Sequence, residues 1–189
     1  MEVNNYLQSM FVSYILVGVS GTKWEIVEDA GSHARRSVYL QQVEQMFLGR
    51  YEHSIDEKGR LTIPARYREL LEQGAYVTQG IDPNLIVYPV ASFEEMSARI
   101  NQLAVTDPLA RQFKRFIFSA AERCEIDKAG RILLPQFLRE MANLDGSVLV
   151  VGAGDYFEIW SKDGWAQQNE TWQDKDASER FSALNLPAA

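Results

Sequence analysis

A chain of 189 residues with 46% hydrophobic and 24% charged side chains has ordinary globular composition, long enough for one large domain or two small ones. Its single cysteine, Cys124, excludes an intrachain disulfide framework; with His33 and His53 as the only histidines and no C-x-x-C or H-x-x-x-H spacing, neither a metal site nor a cofactor is expected. The formal charge of −7 excludes a chain that is basic in bulk, so any nucleic-acid affinity must come from local patches, multiplied by assembly.

The first feature in chain order is the apolar run from Met10 to Val19, MFVSYILVGV. It lacks the positive flank of an export signal, Glu2 being the only charge before it, and it is far shorter than the ~20 residues needed to span a bilayer. The expectation is a cytoplasmic protein with no membrane partner. Residues 1–45 mix Gly, Ser and isolated apolar residues without a sustained period, and read as an extension outside the folded core.

Beyond that point the chain repeats itself. Ile55-Asp56-Glu57-Lys58-Gly59-Arg60-Leu61-Thr62-Ile63-Pro64 returns 71 residues later as Ile126-Asp127-Lys128-Ala129-Gly130-Arg131-Ile132-Leu133-Leu134-Pro135. Arg68-Glu69 falls on Arg139-Glu140 and, after a shift of one residue, Gly80 falls on Gly152, Val87 on Ile159, Tyr88 on Trp160 and Phe93 on Trp165. Each copy predicts a strand ending at Ile55 or Ile126, a tight turn at Lys58-Gly59 or Ala129-Gly130, and a second strand over Arg60 to Ile63 or Arg131 to Leu134. Pro64 and Pro135 are expected at the first position of a short helix, with Tyr67, Leu70 and Leu71 on its buried face in the first copy. Two more strands follow in each copy, Ala75 to Gln79 and Leu85 to Tyr88, then Ser147 to Val151 and Tyr156 to Trp160. The unit is a β-β-α-β-β module, and the fold class is α+β, rich in strand.

The boundaries expected are an extension over 1–45, modules over 46–91 and 120–165, linker helices over 92–119, and a C-terminal helix and tail over 166–189. Ser92-Phe93-Glu94-Glu95 reads as a capping box opening a helix with Phe93, Met96, Ile100 and Leu103 on one stripe. Asp107-Pro108 caps a second helix carrying Leu109, Phe113, Phe116 and Ile117, and a third places Trp165 and Trp172 seven residues apart. From about Lys175 the chain reads as a loosely attached tail. A module of about 45 residues buries too little apolar surface to be comfortable alone, so two modules are expected to pack by their β faces, in one chain or between chains.

The D-x-x-G-R element carries the chemistry. Gly59 and Gly130 permit the positive φ of a tight turn, and Asp56 and Asp127 can accept turn N–H groups, so these four are turn scaffold. Arg60 and Arg131 either pair with those aspartates as surface ion pairs or project into a major groove, where a guanidinium reads guanine O6 and N7. Lys58, Arg60, Arg66 and Arg68 form a basic run with no acid inside it, and Lys128, Arg131 and Arg139 are a sparser counterpart; this favours a phosphate and base contact surface. Arg111, Lys114 and Arg115 are either a solvated helix face or a secondary contact.

The stretch from Met46, MFLGRYEHSIDEKGRLTIPARYRE, together with the second element IDKAGRILLP, resembles the MraZ family from about Met46 to about Trp172. The resemblance implies two tandem AbrB-like (SpoVT-AbrB) modules of the swapped-hairpin type, packed as a pseudo-two-fold unit. It also implies a ring-shaped homo-oligomer in the cytoplasm and on the nucleoid. The partner would be double-stranded DNA, bound at G-rich direct repeats upstream of the division and cell-wall gene cluster, as a repressor. The family's Asp and Arg positions fall on Asp56 and Arg60 and on Asp127 and Arg131, with Lys58, Arg66, Arg68 and Lys128 as further expected DNA contacts. No small-molecule substrate is implied. The competing classes are an AbrB-like antitoxin or assembly module that binds protein, and an enzyme using Cys124 with His53, which occupy equivalent positions in the two copies.

The extension that the family lacks has a reading at the level of codons. Trp24 fixes TGG, so Lys23-Trp24-Glu25 can spell GTGGGA, as can Ser20-Gly21-Thr22, with a near match at Val27-Glu28. The three words begin ten nucleotides apart, about one turn of B-DNA, so residues 1–45 are expected to be a translated promoter region carrying such repeats.

Overall fold

The structure, a computed structural model, describes residues 46–173. The extension, the tail from Lys175 and the side chain of Trp172 lie outside the described residues. The first repeat supplies β1 (Arg50–Ser54), β2 (Arg60–Thr62), the short helix α1 (Ala65–Arg68) closed by a 3-10 turn (Glu69–Leu71), β3 (Ala75–Gln79) and β4 (Asn84–Pro89). Helices α2 (Val90–Asn101) and α3 (Pro108–Ser119) follow. The second repeat supplies β5 (Glu122–Cys124), β6 (Arg131–Leu133), α4 (Gln136–Met141), β7 (Ser147–Gly152) and β8 (Phe157–Ser161), and α5 (Lys162–Gln173) ends the described chain.

The strands on either side of each turn do not zip into a hairpin. Past an isolated bridge between Ile55 and Leu61, β1 leaves to pair with β7, and β2 pairs with β6. The result is a six-stranded antiparallel sheet in the order β1-β7-β8-β4-β3-β5 and a two-stranded ribbon of β2 and β6. Each repeat therefore sends its first strand to the outer edge of the other's strands, and its second into a shared ribbon. The cross-strand partners respect the duplication. Ile86 faces Glu158 in the sheet and Leu61 faces Ile132 in the ribbon, so each pair joins equivalent residues and a pseudo-two-fold axis passes through both.

Exchange solves the burial problem that one short module cannot. Leu61, Ile63, Ile132 and Leu134 from the ribbon, Tyr67 and Leu138 from the short helices, and Val77, Val87, Val148, Val150 and Ile159 from the sheet form one core in which every one of these residues is buried. A second cluster lies under α2 and α3, where Phe93, Ile100 and Ile117 pack with Tyr76 and Tyr88. Tyr76 and Tyr88 alternate with buried Val77 and Val87 along β3 and β4, which places this cluster on the other face of the sheet. The repeat is visible here too: Tyr88 meets Phe93 at 6.2 Å and their counterparts Trp160 and Trp165 meet at 5.7 Å.

Several helix boundaries differ from the sequence reading. Pro64 and Pro135 stand one residue earlier than expected, as N-caps with extended ψ of 135° and 145°. Helix α2 opens at Val90 straight after Pro89, so Ser92 is already helical and makes no cap. The strand runs into the helix without a loop, which leaves no room for a capping box. Asp107 does cap α3, its side chain accepting from Leu109 N–H at 2.8 Å, but Leu109 itself is 71% exposed and Ala110 and Ile117 carry the buried face.

Candidate nucleic-acid interface

The two D-x-x-G-R turns are built alike. Asp56 Oδ1 accepts from Lys58 N–H at 3.0 Å and Arg60 N–H at 2.9 Å, and Gly59 N–H donates to Asp56 O at 2.8 Å. Asp127 Oδ1 accepts from Ala129 N–H at 2.8 Å and Arg131 N–H at 3.0 Å, and Gly130 N–H donates to Asp127 O at 2.8 Å. Gly59 and Gly130 hold φ of +77° and +76°, where a Cβ is strained.

Pairing of β2 with β6 sets the turns side by side. With Leu61 and Ile132 inward, the outward face of the ribbon carries Arg60 beside Leu133 and Thr62 beside Arg131. Arg60 Nε and Nη2 both lie 2.7 Å from Asp56 Oδ2. Arg131 donates to Asp127 Oδ2 from Nε at 2.9 Å and from Nη2 at 2.7 Å, and its Nη1 stands 3.7 Å from Asp56 Oδ2 in the other turn. The four residues form one cluster across the pseudo-two-fold axis, in which the arginine side chains keep 32% and 28% of their surface.

The charges respond to this arrangement. The Arg60 guanidinium bonded to Asp56 holds its carboxyl down to about 2, helped by backbone N–H donors. Arg131 likewise lowers Asp127, and that bond raises Arg131 in turn. A folded-state value below the unfolded 3.8 stabilises the fold fully above pH ~4, and the contribution is lost as pH falls toward 2. The thermal midpoint is therefore expected to drop through that window, and an Asp56→Asn, Asp127→Asn double variant to give a flatter acid profile. Superimposable acid profiles would show that the turn pairs do not contribute.

The remaining basic residues separate into two groups. Lys58, Lys128 and Arg66 are exposed, Arg66 donating from Nη1 to Tyr51 Oη at 3.2 Å. Arg68, expected from sequence to face DNA, is half-buried, and its Nε donates to Ile63 O at 3.0 Å. Arg139 does the same to Leu134 O at 3.2 Å, a role its charge alone did not signal. Arg111 Nη1 binds Val105 O and Thr106 O at 2.8 and 3.0 Å, and Lys114 Nζ binds Asn101 O and Leu103 O at 3.3 and 3.1 Å, so both tie down the α2–α3 loop. Arg115 stays exposed.

The Cys124 and His53 pair is not assembled. They sit on β5 and β1, opposite edges of the six-stranded sheet, roughly 24 Å apart by ordinary strand spacing. Burial pushes the Cys124 thiol up to about 12, so thiolate is scarce near neutrality. Burial, with the charge of Arg68, lowers His53. Among the described residues no group of three or more His, Cys, Asp or Glu side chains is placed to hold a metal ion, and no helix is long and apolar enough to cross a membrane.

A family model described as "MraZ protein, putative antitoxin-like" matches residues 46–116 and again 117–186. The chain belongs to the MraZ family. The two matches fall on the two interlocked repeats, each of which contains one D-x-x-G-R turn. Among curated MraZ proteins, "Transcriptional regulator MraZ" of Desulfitobacterium hafniense is 46% identical over 141 residues, 75% of this chain and 99% of that protein. The protein of the same name from Herpetosiphon aurantiacus is 44% identical over 143 residues, covering 75% of this chain and 100% of its own. That of Desulforamulus reducens is 49% identical over 124 residues, 66% of this chain and 87% of its own.

Proposed function

We propose that this MraZ-family chain is a sequence-specific DNA-binding transcriptional regulator that acts through the paired D-x-x-G-R turns. The observation that carries the reading is the β2–β6 ribbon, which brings the two turns together with Arg60 and Arg131 on its outward face; Lys58 and Lys128 in the turns and Arg66 in α1 are exposed. The name shared by the relatives supports the functional class. Local clustering answers the net charge of −7, because phosphates and base edges meet a surface and not a whole-chain total. The finer reading is a repressor bound to G-rich direct repeats in the promoter region upstream of the division and cell-wall genes, in the cytoplasm and on the nucleoid. Strand exchange and the pseudo-two-fold axis support the AbrB-like swapped-hairpin fold. Self-assembly into a ring belongs to the same proposal, since several weak sites on one assembly bind repeated words with avidity.

Residues 46–186 hold both family matches, and the relatives align over 99% to 100% of their own length within 75% of this chain. This supports residues 1–45 as dispensable for folding and binding. A second reading, protein binding by an antitoxin or assembly module, rests on the family description and on exposed Leu133, Phe137 and Met141 near the ribbon. A gel shift of the purified protein on the gene's own upstream DNA, against an excess of shuffled competitor, separates the two. The regulator reading expects a retained complex that weakens steeply with salt; loss of every complex to the competitor supports the protein-binding reading.

A further inference from the structure

The ribbon pins the two turns together at the backbone. Ile63 N–H donates to Gly130 O and Leu134 N–H donates to Gly59 O, each at 2.9 Å, so each repeat's strand end reaches the other repeat's turn glycine. The carbonyls of the same two residues are the acceptors for Arg68 and Arg139: Arg68 Nε donates to Ile63 O at 3.0 Å, Arg139 Nε to Leu134 O at 3.2 Å. Both backbone groups of each pre-proline residue are thereby occupied, the N–H by the opposing turn and the carbonyl by an arginine.

The guanidinium groups also fill the space that the glycines leave. A Cβ built on Gly130 would lie 2.3 Å from Arg68 Cζ and 2.5 Å from its Nε, and one on Gly59 would lie 3.2 Å from Arg139 Nε and Nη2. Gly130 thus meets two demands, a φ of +76° and contact with a guanidinium from the other repeat; Gly59 meets the same pair more loosely. The contact is reciprocal across the pseudo-two-fold axis, so each arginine seats the turn that belongs to its opposite number.

From this geometry we infer that Arg68 and Arg139 are positioning residues, each locking the other repeat's D-x-x-G-R turn onto the ribbon, and are not contacts to DNA. The inference rests on the proposed role of the turns as the DNA-reading surface. A planar fork with an Nε donor is required, and lysine supplies the charge without either feature. A phosphate contact has the opposite requirement, for there lysine largely suffices.

The test uses the full chain with Arg68→Lys, Arg68→Ala and Arg139→Lys, each read by operator binding across a salt series and by amide hydrogen exchange without DNA. Arg68→Lys is expected to lose tenfold or more in affinity, close to Arg68→Ala, with the slope of log K against log salt unchanged. Exchange in the DNA-free protein should speed up over residues 127–131 for the Arg68 variants and over 56–60 for Arg139→Lys. An Arg68→Lys that binds like the parent, with an Arg68→Ala whose slope falls by about one, would mark a phosphate contact and overturn the inference. Should the Arg68 variants fail to fold, Arg139→Lys carries the same readouts, and unchanged exchange over 56–60 overturns the inference. If the parent protein itself binds no DNA, the functional reading fails while the exchange measurement still decides the clamp.

Discussion

Arg60→Ala is expected to weaken operator binding by about 1–3 kcal/mol for each guanine no longer held by a bidentate guanidinium, roughly 5- to 150-fold, and by more when every subunit of an assembly carries the substitution. For Arg60 to reach a base it must leave Asp56, its ion-pair partner in the turn. The pair is partly exposed and screened by solvent, so a bidentate contact to guanine can replace it. Arg131 is held by Asp127 at 2.7 Å and approached by Asp56 at 3.7 Å, and the basic run in its own repeat is sparser in sequence, so Arg131→Ala should cost less than Arg60→Ala. Circular dichroism should stay native in both. Normal operator binding by Arg60→Ala would reduce the turn to scaffold.

Five base pairs inserted between two of the G-rich words should have the largest effect. If codons 20 to 28 spell the words that these residues permit, the words start ten nucleotides apart, and successive sites then face the same side of the duplex where one assembly can hold them together. Half a helical turn rotates one word to the far side and removes the avidity, an expected loss of about 10²–10⁴ in affinity toward that of a single word. A chain beginning at Met46 should fold and bind the intact operator as the longer chain does. Codons that do not spell the repeats, or binding indifferent to the insertion, would sink the operator assignment and leave the paired-turn reading standing. A Met46 chain that fails to fold or assemble would show that the extension covers a strand edge.

What could be read from sequence was local. The turn follows from Asp accepting N–H groups and Gly entering positive φ within five residues, and both copies have that geometry. The one-residue shift in the repeat was legible because Tyr88 and Phe93, like Trp160 and Trp165, keep the same spacing to pack ring on ring. Strand partners were another matter. Nothing near Arg50–Ser54 says that its ladder lies with residues 147–151, because pairing is decided by which distant surface completes the core. Arg68 marks the same limit. As a letter it is a positive charge in a basic run, and only the folded chain shows its Nε spent on Ile63 and its guanidinium lying on Gly130. Leu109 failed for a related reason, since a helical stripe admits several phases and the one chosen by the sheet buries Ala110 and Ile117.

The central claim, that the two D-x-x-G-R turns are the surface that meets DNA, is tested most directly by a hydrogen-exchange footprint of the full chain with and without its operator duplex. Binding should slow exchange over residues 56–60 and 127–131 together, with Arg66 and its neighbours in α1 following and the α2–α3 loop over 102–107 unchanged. Protection confined to α3 or to the Phe137 and Met141 side of α4, with both turns exchanging as in the free protein, would contradict it.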